Sequence, residues 1–204
     1  ELDNWNFIHP SLLKRGFDRN FLIRNRIGYD PVAYRSTIPI FDIKEGKPRK
    51  DQYRGSVKRT VLDFEKCKYV NPAGFEKSKF IYVPLHYELK EDGFIIVAEG
   101  QLNALKATQW GHLGIATFGS QPTQEQVNQI VNLARALDKR IILWYDYDDA
   151  GRKATDKFLS FFYDVDVISW EGVDKTKNDI CDLEHGEFNS EIGNRKSSLE
   201  WLLS

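Results

Sequence analysis

From Phe94 onward, short apolar runs alternate with stretches of helical periodicity, and this alternation limits what the 204-residue chain can fold into more than any other feature. "FIIVAEG" reads as a strand, "QLNALKATQW" as a helix, "GIATFG" as a strand, and "TQEQVNQIVNLARAL" as a helix opened by a Thr123/Gln126 capping box. "RIILWYD", "DAGRKATDKFLSFF" and "DVDVISW" continue with strand, helix and strand. Such an order predicts a mostly parallel sheet with helices on its faces. In sheets of that kind ligands gather outside the carboxyl ends of the strands. Glu99 and the aspartates after Tyr145 fall at those ends.

The residues before Phe94 have a different character. "HPSLLKRGFDRNFLIRN" suits one or two short helices broken near Gly16, and "STIPIFDI" reads as a strand that Pro39 pushes towards a sheet edge. A basic, turn-rich segment follows, with strand-like pieces around Val57 to Leu62. Residues 1 to 90 hold 18 Lys and Arg against 11 Asp and Glu, whereas residues 91 to 204 hold 11 against 19. Opposite electrostatic characters in one chain point to nucleic acid on the basic side and a metal or partner on the acidic side. Uneven charge over solvated faces is the plainer explanation. The expected domains are a basic subdomain over 1–92, a sheet domain over 93–187 and a C-terminal tail or helix over 188–204.

Two distant cysteines, Cys67 and Cys181, give neither a disulfide framework nor a zinc site, which suits a reducing, cytoplasmic compartment. No apolar stretch approaches the roughly 20 residues that span a bilayer. A chain that starts without Met is also compatible with a fragment whose flanking domains are not in view.

The densest chemistry lies in "WYDYDDAGRKA". If strand geometry persists through Tyr147, alternation points Asp146 and Asp148 to one side, where Glu99 from another strand end joins them. Clustered carboxylates raise one another's pKa unless a cation sits among them, and hard oxygen donors without His or Cys select Mg2+ or Mn2+. Capping of the next helix accounts for Asp148 and Asp149, though not for Asp146 or the separate Glu-Gly.

On "FIIVAEGQLNALKATQWG", "GIATFGSQPTQEQV" and "IILWYDYDDAGRKA" the sequence resembles the Toprim domain of DnaG-type primases, topoisomerases and several nucleases. Upstream, "KRGFDRNFLIRNRIGYDP", "IPIFD" and "KYVNPAGFEKSKFIY" resemble the N-terminal subdomain of the DnaG-type primase core, bacterial or phage. The fold implied is α/β, a Toprim domain with a mostly parallel sheet flanked by helices, preceded by a smaller mixed α+β basic subdomain. The function implied is DNA primase, a DNA-directed RNA polymerase making RNA primers on single-stranded DNA during replication by metal-dependent nucleotidyl transfer.

The resemblance makes Glu99, Asp146 and Asp148 the catalytic metal ligands for Mg2+ or Mn2+, with Asp179 and Asp182 of "KNDICDL" at a further metal or phosphate position. Arg59, Lys68, Asn71 and Lys77 match positions facing template or nucleotide, with Arg54 the competitor to Arg59. Arg152 either binds phosphate or pairs with a site aspartate. Asn103 stands where the family usually has Asp. The zinc-ribbon and helicase-binding modules of complete bacterial primases have no counterpart, so the implied partners are NTPs, a single-stranded DNA template, a replicative helicase and a separate zinc-binding module. The competing functions are a Toprim nuclease and a non-catalytic module binding single-stranded DNA.

Overall fold

The computed structural model describes residues 7–44, 47–62, 65, 67–169 and 176–204. The chain forms two compact units: residues 1–76 with 83–86, and residues 77–82 with 87–204. The division differs from the expected one. The short stretch 77–82 belongs to the second unit, and so does everything after residue 187.

The first unit opens with helices α1 (Pro10–Lys14) and α2 (Arg19–Arg24), separated at Gly16, whose φ of 73° suits a residue without a Cβ. His9 and Asp18 cap their amino ends. An antiparallel sheet follows, ordered β1 (Gly28–Asp30), β2 (Arg35–Lys44), β3 (Lys47–Thr60), β4 (Tyr69–Val70). Strand β2 is therefore internal rather than an edge. Its Pro39 is tolerated because β1 pairs only as far as Thr37, leaving β3 as the partner at that point. Arg35, 7% exposed, reaches the carbonyls of Lys58, Cys67 and Lys68 and pairs with Glu65, drawing the chain before β4 against the sheet. Buried Asn25 accepts the His86 N–H at 2.9 Å, which ties residues 83–86 to this unit.

The second unit is a five-stranded sheet in the order β6 (Leu113–Ala116), β5 (Ile95–Ala98), β7 (Ile141–Leu143), β8 (Asp166–Val167), β9 (Lys196–Ser197). The first four strands run parallel, and β9 closes the edge antiparallel to β8. Helices α3 (Gln101–Gln109), α4 (Gln124–Leu137) and α5 (Asp149–Phe161) make the crossovers. Alternation sends Ile96, Ala98, Ile142 and Trp144 into one apolar layer with Ala107 of α3, Ile180, Leu183, and Phe188 and Ile192 of α6 (His185–Gly193). Gly114 of β6 lies so near the Ala104 carbonyl that no Cβ would fit between sheet and α3. The segment after residue 187, expected as a tail or helix, packs onto this unit. Phe188 is fully buried, β9 joins the sheet, and helix α7 (Ser198–Leu202) docks when the Trp201 indole donates to Asp156 of α5 at 3.0 Å. Trp170, the last residue of the expected strand "DVDVISW", lies outside the described residues.

No described helix is long and apolar enough to cross a membrane.

Candidate active site at the strand ends

After β5 the chain crosses to β6 on one side of it and then to β7 on the other. This reversal opens a crevice between the carboxyl ends of β5 and β7, the place where parallel α/β sheets bind ligands. Glu99 follows β5 directly, and Asp146 follows β7 by three residues. The Trp144 N–H donates to the Val97 carbonyl at 2.8 Å, so the two strands stay in register to the rim. Both carboxylate residues are half-buried.

Glu99 lies between two loops. On the β6 side its carbonyl accepts the Gly119 N–H at 3.2 Å, and Thr117 donates to the Gly119 carbonyl at 2.9 Å. On the β7 side is Tyr145, whose hydroxyl meets Thr117 Oγ1 at 3.3 Å. Burial, and secondarily the Glu99 carboxylate, push the Tyr145 phenol up, against the opposing hydrogen bond with Thr117. Tyr145 is therefore a neutral hydrogen-bonding wall of the crevice.

Asp146 is held from α3. Asn103, 5% exposed and one helical turn beyond Glu99, donates from Nδ2 to Asp146 Oδ1 at 3.1 Å. Below Asp146 the first turn of α5 comes so near that a Cβ on Gly151 would collide with the Asp146 carbonyl.

Strand geometry does not persist through Tyr147. Strand β7 ends at Leu143, and the Asp148 N–H turns back onto the Asp146 carbonyl at 2.9 Å. Asp148 is the N-cap of α5, accepting the Gly151 N–H at 2.8 Å. The helix end offers free N–H groups only to a side chain placed there, and this demand outweighs strand alternation. Asp148 is exposed at the rim with Asp149 in the first turn.

The "KNDICDL" turn is tied to the same loop, since the Tyr147 N–H donates to the Asn178 carbonyl at 2.8 Å. Asp179 accepts the Cys181 N–H at 2.8 Å and Asp182 the Asn178 N–H at 3.0 Å, so each carboxylate braces its own turn. Among the described residues no three His, Cys, Asp or Glu side chains form a ready cage for a metal ion. The donors still fit Mg2+ or Mn2+, because these ions are commonly held by one or two carboxylates completed by water and substrate phosphate.

Of the basic residues, Lys77 stands in this unit. It opens a 3-10 turn, Lys77–Lys79, and its Nζ lies 3.6 Å from where a Cβ of Gly119 would stand. Gly119 has φ of 137°, a conformation other residues rarely adopt. Arg152 does not turn to the aspartates: its guanidinium lies over the Trp201 ring, 6.0 Å from the centroid. In the first unit, Arg59 lies over the Tyr69 ring at 5.6 Å and donates to the Thr60 carbonyl, while exposed Lys68 and half-buried Asn71 flank β4. Arg54, the competitor to Arg59, is paired with Asp42 through two hydrogen bonds, and that carboxylate raises the Arg54 pKa.

Two contributors carried only partial sequence signals. Asn103 was marked only by the resemblance, as the position where the family usually has Asp. Gln126 was legible as a cap, yet its amide also binds the Thr117 carbonyl beneath the Glu99 loop at 2.9 Å.

The Toprim-like family model matches residues 96–183, the stretch that carries the parallel sheet and the acidic residues at its central strand ends. The chain as a whole has the fold of a DnaG-type primase catalytic core. It superposes on the zinc-binding and RNA polymerase domains of Aquifex aeolicus primase with a TM-score of 0.67 at 21% identity, covering 92% of this chain and 55% of that one. It also superposes on a DnaG primase catalytic domain bound to ssDNA with a TM-score of 0.67 at 19% identity, covering 95% and 73%. In sequence it is 31% identical over 122 residues, 56% of the chain, to a DNA primase of Aquifex aeolicus. It spans 23% of that protein's length.

Proposed function

We propose that the chain is the catalytic core of a DNA primase, joining ribonucleotides on a single-stranded DNA template during replication. The observation that carries this reading is the placement of Glu99 and Asp146 at adjacent strand ends where the sheet order reverses, with Lys77 beside the neighbouring loop. Support comes from the DNA primase identity of the sequence relative and from the core fold.

In this reading Glu99 and Asp146, with Asp148 at the rim, hold Mg2+ or Mn2+. The bound ion supplies a lowered pKa at the attacking 3′-hydroxyl and neutralises charge on the attacking and leaving oxygens. Asn103 fixes the orientation of the Asp146 carboxylate, and Lys77 takes a nucleotide phosphate. Arg59, Lys68 and Asn71 contact template or nucleotide from the basic unit, with binding that falls as salt rises. Asp179 and Asp182 brace the turn beside the rim and supply a further metal or phosphate position. A separate zinc-binding module and a replicative helicase complete the assembly, and the Aquifex structure is of a primase with its zinc-binding domain.

The test is synthesis on single-stranded DNA with labelled NTPs and Mg2+ or Mn2+, with and without a zinc-module protein in trans. Template-dependent oligoribonucleotides are expected. Metal-dependent cleavage of labelled DNA or RNA instead would make the chain a nuclease, and DNA binding with neither reaction would make it a non-catalytic module.

A further inference from the structure

The amino end of α4 does more than cap a helix. Gln126, 1% exposed, accepts the Thr123 N–H at 3.0 Å through Oε1, completing the capping box. Its Nε2 reaches the carbonyls of Lys77 and Phe80, both at 2.8 Å, as well as that of Thr117. Thr123 Oγ1 donates to the Ser78 carbonyl at 2.6 Å, and Gln129 Nε2 to that of Lys79 at 2.8 Å. Every carbonyl from residue 77 to residue 80 is therefore taken by a side chain of α4 or its cap.

Helix capping alone requires one side-chain acceptor and its reciprocal partner. Apart from the bond to Thr117, the remaining bonds all grip one short, mostly exposed segment. What that segment presents is Lys77, its ammonium over Gly119, whose N–H is bonded to the Glu99 carbonyl. One buried amide thus joins the Lys77 backbone to the loop that contacts Glu99.

We propose that Thr123, Gln126 and Gln129 form a clamp that fixes the Lys77 ammonium at the strand-end crevice, with Gln126 the positioning residue for a nucleotide phosphate bound by Lys77. This rests on the primase reading for the nature of the ligand. A lysine on a four-carbon stem loses much rotamer freedom when it binds a phosphate, so an immobile backbone beneath it lowers the cost of ordering. Gln126→Glu tests the clamp, because it preserves size while replacing the donor with a carboxylate that faces three carbonyls.

The experiment is a double-mutant cycle on ATP affinity, measured by calorimetry with Mn2+ for wild type, Lys77→Ala, Gln126→Glu and the double variant. Thermal melts confirm that each is folded at the assay temperature. On the order of tenfold weaker binding is expected from each single change, with Gln126→Glu adding less than about twofold once Lys77 is gone, because coupled residues are not additive. Equal weakening by Gln126→Glu in both backgrounds overturns the clamp while leaving Lys77 a phosphate ligand. Unchanged binding in Lys77→Ala overturns both the clamp and the role of Lys77, and absence of ATP binding by the wild type overturns the primase reading itself. If Gln126→Glu does not fold, Thr123→Val removes the Ser78 bond together with the cap on the Gln126 N–H and enters the same cycle.

Discussion

Asn103 donates a hydrogen bond from Nδ2 to Asp146 Oδ1 at 3.1 Å, from the first turn of α3 to the loop after β7. The donor is buried and the acceptor stands at the crevice, so the bond fixes which way the carboxylate faces. Residues that orient a metal-binding carboxylate typically matter by about 10- to 100-fold in metal affinity or activity. Asn103→Ala is expected to fall in that range when Mn2+ affinity and primer yield are titrated together, with the fold intact by circular dichroism. A variant with unaltered metal affinity would make the bond a packing detail.

Replacing either strand-end carboxylate by its amide should remove synthesis while sparing DNA affinity. Glu99→Gln and Asp146→Asn each keep size and lose charge, and a loss on the order of 100-fold or more is expected in primer yield. Single-stranded DNA affinity, measured by fluorescence anisotropy at fixed salt, should stay within about twofold, since phosphate contacts come from cationic groups.

Asp148 has two roles that a pair of variants separates. Asp148→Ala removes the α5 cap at a cost of about 1 kcal/mol, visible as a lowered melting temperature, whereas Asp148→Asn retains a good capping side chain. Wild-type stability with lost synthesis is expected for Asp148→Asn. Full activity in that variant would reduce Asp148 to its cap.

How much of this was legible in the sequence depends on where the responsible forces act. Buried parallel strands are apolar along their length, so β5, β6 and β7 stand out, and the polar residues that end them mark the rim. Strand β3 is long but largely solvent-facing over Lys47–Arg54, which erases the apolar pattern that would have revealed it. β8 lies inside "DVDVISW", where alternation marks a strand, whereas β9 is two residues long, too short for periodicity to register. The capping of α5 by Asp148 follows from helix-end hydrogen bonding that competes with strand alternation. The second role of Gln126 was hidden because its partners Lys77 and Phe80 lie 49 and 46 residues away.

Gly151 is dictated by proximity to Asp146. With the Asp146 carbonyl where a Cβ would go, Gly151→Ala must shift the first turn of α5 or the rim loop. Overpacking of this kind costs about 1–3 kcal/mol, and the displaced loop should also lower primer yield. Urea denaturation and the synthesis assay check both. An alanine variant as stable and active as wild type would show that the loop yields freely.

His112 gives the second unit an acid-sensitive element away from the crevice. Burial, mainly, with Lys90 nearby lowers its pKa to about 4, and its Nδ1 accepts the Phe94 N–H at 3.2 Å, a bond that protonation there would abolish. The unfolded chain takes up the proton near pH 6.5 while the folded protein resists it, so stability present above pH 6.5 declines as pH falls towards 4. The contribution amounts to at most about 3 kcal/mol. Urea midpoints at pH 7 and pH 5 should differ less in His112→Gln than in wild type. An equal difference would assign the acid sensitivity to other groups.

The proposed primase reading requires Glu99 and Asp146 to hold a divalent ion at the ends of β5 and β7. Anomalous scattering from crystals grown with Mn2+ and a non-hydrolysable NTP tests it most directly. A manganese peak is expected within bonding distance of both carboxylates, with nucleotide phosphate completing its shell. A peak placed elsewhere, or Mn2+ and nucleotide bound without either side chain, would contradict it.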